Sequence, residues 1–177
     1  MKPVRPRYAR ISREVNALLM QAKVKAPPTP VENIAKLIGA KVTYSNFQNE
    51  ISGLLLRREE SVVIGVANEQ SPTRQRFTIA HEIGHLLLHK GEELHIDADF
   101  RVNLRSAESS KANDVTEIEA NAFAAELLMP IGFLKKDVTR LQIDMENSEQ
   151  IDQLAEKYGV SAQAMTFRLL NVFGLSK

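Results

Sequence analysis

The chain has 177 residues, 44% of them hydrophobic, with a formal net charge of +1. That is enough apolar content for one domain with a real core, and too little charge for bulk attraction to nucleic acid or a membrane surface. It has no cysteine, which excludes disulfides and thiolate metal sites and fits a reducing cytoplasm. No run approaches 18 apolar residues, and no n-region with an apolar run behind it opens the chain, so neither a membrane span nor a secretory leader is expected.

The start, MKPVRPRYARISR, carries five basic residues in thirteen and reads as a solvated, frayed arm. Residues 8 to 25 show helical spacing through Ile11, Val15, Leu18 and Leu19, and APPTP at 26 to 30 ends that helix. A second helix, nucleated near Thr29 and Pro30, carries Ile34, Leu37 and Ile38 and stops at Gly39. The period then changes to that of strands over 41 to 45, 51 to 57 and 62 to 66, which predicts a small sheet, antiparallel in the simplest connection. An exposed edge, either 51 to 57 or 62 to 66, could hold a peptide in extended form beside a cleft.

The segment FTIAHEIGHLLLH, residues 77 to 89, contains the HExxH pattern at His81, Glu82 and His85. On a helix, residues four apart stand about 6 Å apart along the axis, so both imidazoles can converge on one metal ion. Glu82 lies beside them as a carboxylate able to take a proton from a water. At 100° per residue, Thr78, His81, Glu82, His85 and His89 share one arc of about 100°, and all the other positions are apolar or small. This is a buried helix with one polar stripe, lining a cleft.

Two histidines leave zinc short of a third protein ligand. A metzincin-type site would place a third histidine at position 91, which is Gly91. The candidates are His89, His95, Asp97, Asp99 and the acids after residue 107. His89 stands about 12 Å along the helix from His81, too far to share an ion, and suits a supporting, substrate-facing or plain helix-end position. Residues 91 to 113 show little periodicity and read as a loop that gates the cleft or stays disordered, with His95, Asp97 and Asp99 solvated. The better ligand comes from EIEANAFAAELLMP, residues 117 to 130, read as a helix with Phe123, Leu127, Ala120, Ala124 and Leu128 on its apolar face. Glu117 and Asn121 fall inside that face, where a carboxylate demands a cation or strong donors. Glu119 and Glu126 point the other way and read as solvated, with Glu119 held as the alternative third ligand. Asn121, one turn on, could orient Glu117 or a ligating histidine.

Together these two blocks resemble the ImmA/IrrE family of metallopeptidases, in their order, their spacing and the closing LLMP at 127 to 130. The resemblance implies an α+β, zincin-like core of gluzincin type. It implies one Zn²⁺ per chain held by His81, His85 and Glu117, with Glu82 as catalytic acid and base. It further implies an endopeptidase of bacteria and their mobile elements whose protein substrate is a helix-turn-helix repressor encoded nearby, relieving repression by cutting it. Non-catalytic sequestration of that partner is the competing reading. An additional oxyanion donor is expected, with Tyr44, His89 and Arg76 as candidates by chemistry alone.

The C-terminal stretch, 148 to 173, resembles a helix-turn-helix at Ala155, Gly159, Val160 and Met165, but the pattern fails at Arg168. The exposed positions of its second helix, Ser161, Ala162, Gln163, Thr166 and Phe167, carry no basic residue to engage phosphate. It therefore reads as a packing or partner-binding helical pair, with DNA recognition as the competing reading. The organisation expected is a metallopeptidase domain over 1 to 140 and a helical segment over 141 to 177, packed as one unit.

Overall fold

The structure is a computed structural model, and it describes residues 5–47, 51–89, 93–97, 113–144 and 147–174. Among the described residues, seven helices and a four-stranded sheet make a mixed α+β architecture. Among the described residues no helix is long and apolar enough to cross a membrane. Asp99 and most of the expected gating loop lie outside the described residues, as do the first four residues of the basic arm.

Helix α1, Tyr8–Gln21, turns Ile11, Val15, Leu18 and Leu19 inward, as the 3.6-residue spacing requires. Helix α2, Val31–Leu37, is followed by Gly39 at φ +82°, a conformation that costs glycine no steric clash. The strands are β1, Ala40–Ser45; β2, Gly53–Arg58; β3, Ser61–Ala67; and β4, Leu94–Asp97. They lie in the order β1-β3-β2-β4. The expected antiparallel sheet is corrected in one respect: β1 runs parallel to β3, while β2 is antiparallel to both β3 and β4. A two-residue turn at Glu59 and Glu60 forces β2 and β3 into a hairpin, and β1 then takes the far side of β3 rather than pairing with its sequence neighbour.

This order also corrects the expected edge. Strands β2 and β3 are interior, and the outer strands among the described residues are β1 and β4. Strand β4 arises inside the stretch read as a loop. Its pattern is inverted, with Leu94 and Ile96 exposed and His95 turned inward, so it offers no apolar inward face for a sequence reading to detect.

Helix α3, Pro72–Leu88, begins at Ser71, whose hydroxyl accepts from the Arg74 amide, and has Pro72 at its first position. It packs across the sheet and against α4, Asn113–Leu128. The α4 face of Ala120, Phe123, Ala124, Leu127 and Leu128 is fully buried. At Gly84 a Cβ would stand 3.1 Å from Ala120 Cα and from Phe123 Cβ, so glycine there sets how closely α3 and α4 approach.

Helices α5, Ile131–Leu141, α6, Ser148–Tyr158, and α7, Ala162–Phe173, complete the chain. Gly159, at φ +64°, turns the chain from α6 toward α7. Tyr158, Met165 and Leu169 join the same apolar core as Ile79, Ile83 and Leu128. Arg76 of α3 ties this end down, its Nε donating to the Gly159 carbonyl at 3.0 Å and its Nη2 to the Thr29 carbonyl at 2.9 Å.

Candidate metal centre

The polar stripe of α3 is buried almost completely: Thr78, His81, Glu82 and His85 all lie in the interior. Helix α4 brings Glu117 opposite them. Its Oε2 is 3.3 Å from His81 Nε2 and its Oε1 3.3 Å from His85 Nε2, while the two imidazole nitrogens stand 2.9 Å apart. The side chain of Glu117 is 38% exposed, so the cluster opens to solvent on its side. Strand β4 adds His95, whose Nε2 is 3.6 Å from Glu117 Oε1. One donor atom each from His81, His85, His95 and Glu117 lies within 4.8 Å of all the others.

Hydrogen bonds behind the cluster fix how the imidazoles present themselves. His81 Nδ1 is 3.0 Å from Asn121 Oδ1. A carbonyl oxygen only accepts, so Nδ1 carries the proton and Nε2 turns a lone pair toward the cluster. On the other side His89 Nε2 is 3.0 Å from Glu119 Oε2, and His89 Nδ1 is 3.3 Å from His85 Nδ1. If His89 donates to the carboxylate, its Nδ1 accepts from His85, and the lone pair of His85 Nε2 also faces inward. Two lone pairs 2.9 Å apart beside a carboxylate repel one another, and a divalent cation relieves that repulsion. Imidazole and carboxylate donors suit zinc, so the residues present fit such an ion.

The electrostatics agree. Burial is the main cause that pushes the His85 imidazole down to about 4, so it is neutral at neutral pH, the form that ligates metal.

Glu82 sits under the start of β2. A Cβ on Gly53 would come within 2.4 Å of Thr78 Cγ2 and 3.1 Å of Glu82 Oε1, so only glycine leaves the carboxylate its space. Two residues on, and therefore on the same face of the strand, Leu55 is fully buried; two further, Arg57 donates from Nη2 to the His85 carbonyl at 2.9 Å. Burial pulls the Arg57 guanidinium down from its ordinary value, and the Glu82 carboxylate opposes that pull. Sequence reasoning missed Arg57. The alternation Gly53, Leu55, Arg57 was visible, but not the face it turns to α3.

Several sequence expectations are corrected. Glu119 is 1% exposed rather than solvated: Arg7 Nη2 meets its Oε2 at 2.5 Å, and the Arg7 amide donates to its Oε1 at 2.7 Å. Those bonds, led by the Arg7 side chain, hold its carboxyl down to about 2, and they commit it away from the cluster that Glu117 joins. The basic arm is engaged here too, because Arg10 Nη2 also reaches the Leu87 carbonyl at 3.5 Å. Glu126 pairs with Arg168, whose Nε donates to the Met129 carbonyl, so the residue that broke the helix-turn-helix pattern anchors α7 to α4. Tyr44 lies on β1, at the opposite edge from β4, with its Oη 3.1 Å from Glu32 Oε1. Neither it nor Arg76 is brought to the cluster. His95, read as a solvated loop residue, is.

The family model for the IrrE N-terminal-like domain, Peptidase_M78, matches residues 35–170. The chain belongs to that family. Within it, the chain is 33% identical over 110 residues to the radiation response metalloprotease IrrE of Deinococcus deserti, covering 62% of this chain and 36% of that protein. It is 31% identical over 110 residues to the protein of the same name from Deinococcus radiodurans, covering 62% of this chain and 31% of that protein. It thus spans about a third of the length of these curated relatives. A solved structure of a Mycobacterium tuberculosis transcriptional regulator matches with a TM-score of 0.63 at 16% identity, over 92% of this chain and 46% of its own. At that identity the likeness concerns the fold alone.

Proposed function

We propose that the protein is a zinc-dependent endopeptidase with a zincin-like core, in which His81, His85 and Glu117 hold one Zn²⁺ and Glu82 is the catalytic acid and base. The observation that carries the reading is the meeting of two inward-facing imidazole nitrogens with the Glu117 carboxylate, beside a glutamate buried in the same helical stripe. Zinc in such a site supplies Lewis acidity toward a scissile carbonyl and lowers the pKa of a water. Glu82 takes a proton from the attacking water and delivers it to the leaving amine nitrogen. Asn121 and the pair His89 and Glu119 hold the tautomers of His81 and His85. Arg57 places a positive charge within electrostatic reach of Glu82.

The substrate in this reading is a protein, specifically a helix-turn-helix repressor encoded nearby, met in the cytoplasm. The family resemblance and the small overall charge support a protein target over direct nucleic-acid binding. Residues 141–177 act as a helical extension of the peptidase domain at 1–140, a view supported by the Arg76, Arg168 and Asp137 contacts that join them. The test is incubation of the zinc-loaded chain with the repressor of the adjoining gene. The intact repressor band should disappear with wild type, persist with Glu82→Gln and persist after chelation. A zinc-loaded chain that leaves the repressor whole would sink the target assignment.

A further inference from the structure

We propose that His95 is a fourth protein donor at the metal centre, closing it at rest, so that the centre opens only when His95 gives up its place. The inference rests on the metal-binding reading of His81, His85 and Glu117.

Register puts His95 there. It pairs directly with Leu55 of β2, and cross-strand partners point to the same face of a sheet. Leu55 is fully buried, and Arg57 on that same face reaches the His85 carbonyl. The His95 ring consequently lies over that of His85, with centroids 4.1 Å apart and planes at 37°. Its Nε2 comes to 3.6 Å from Glu117 Oε1. Donors about 2.0–2.1 Å from a tetrahedral zinc stand roughly 3.3 Å from one another. A four-atom group already within 4.8 Å reaches that spacing by small side-chain rotations.

Three imidazoles and one carboxylate would fill a tetrahedral shell, the signature of a closed site, whereas hydrolysis needs an open position. The four donors differ in how firmly they are held. His81 and His85 belong to a buried helix and are backed by Asn121 and His89. His95 is 31% exposed and rides on a four-residue outer strand whose other face, Leu94 and Ile96, is open to solvent. It is the donor that can leave while the others stay, making room for water and a peptide carbonyl.

The test is metal binding by the full chain, first stripped of metal and then titrated with Co²⁺ and Zn²⁺ against a chromophoric chelator. In the Co²⁺ form each ligating histidine gives one hyperfine-shifted, exchangeable imidazole N–H signal by NMR. Wild type should give three such signals and His95→Phe two, with affinity at least about tenfold weaker, on the scale of losing a supporting partner or more. Phenylalanine keeps an aromatic ring against His85 and removes both ring nitrogens, so a packing role would leave affinity and signal count unchanged. His95→Ala should match His95→Phe. Equal affinities and equal signal counts in wild type and both variants would overturn the proposal and leave the His81, His85 and Glu117 reading standing. Failure of wild type to bind either metal would overturn both.

Discussion

Helix α4 carries two kinds of acid, and their partners differ in kind. On one side Glu119 and Glu126 each meet an arginine from a distant part of the chain, Arg7 and Arg168. On the other side Glu117 meets imidazoles, of which His85 is held neutral by burial. A carboxylate set beside imidazole lone pairs is an arrangement that a divalent cation would compensate. That contrast separates acids that tie the fold together from one placed where it could hold a metal.

The comparison can be broken at its chemical end first. Glu82→Gln should lower hydrolysis by about 10²–10⁴-fold, the usual contribution of a general acid or base, with zinc content unchanged by elemental analysis. Loss of zinc in that variant would show Glu82 to be part of the metal site instead. Next come the paired acids. Glu126→Ala strands the half-buried Arg168 and should cost about 1–3 kcal/mol in denaturant unfolding, with or without zinc. Glu117→Gln should change the stability of the metal-free protein far less. It should instead abolish the zinc-dependent gain, about 2.7 kcal/mol for wild type at free zinc 100 times Kd. Equal losses in both variants without metal would erase the distinction between the two kinds of acid.

A smaller effect sharpens the tautomer argument. Asn121→Ala should weaken zinc binding about 10–100-fold by competition titration and leave the metal-free fold intact. Overpacking at the helix contact, Gly84→Val, should cost about 1–3 kcal/mol by pushing α3 from α4, and should weaken zinc binding in parallel. The smallest effect lies far from the cluster. Burial pushes the Asp137 carboxyl up, but hydrogen bonds from Lys157 at 2.6 Å and Tyr158 at 2.8 Å outweigh it and hold the group below its ordinary value. A depressed folded pKa stabilises above the unfolded value and ceases to do so as pH falls through the folded one. Unfolding midpoints measured across the acid range should therefore decline in wild type and decline less in Asp137→Asn. Parallel curves would remove Asp137 as a source of acid sensitivity.

How much could be read in advance depended on the range of the interaction. The helical stripe of Thr78, His81, Glu82 and His85 was legible because it is a matter of 100° per residue along one segment. Helical phase likewise singled out Glu117, which meets His81 and His85, although at 38% exposed it is less buried than an apolar-face position implied. Glu119 and Glu126 were misread because their partners lie 112 and 42 residues away, where helical phase has nothing to say. Arg57 was missed, and His95 was named as a candidate ligand but then read as solvated, because their roles depend on which face of a sheet meets α3. In a short strand with its polar residue turned inward, periodicity points the wrong way.

The sequence by itself determined the chemistry: two imidazoles and a carboxylate one turn apart on a buried helix, a second helix with an acid where apolar residues belong, and family membership. Those follow from local geometry, which adjacent residues cannot escape. Only the tertiary structure decided which acid is neutralised from within, that β1 runs parallel beside β3, and that a histidine from the outer strand completes the cluster. Those outcomes are set by strand register and long-range pairing, in which residues far apart in the chain share one desolvated space.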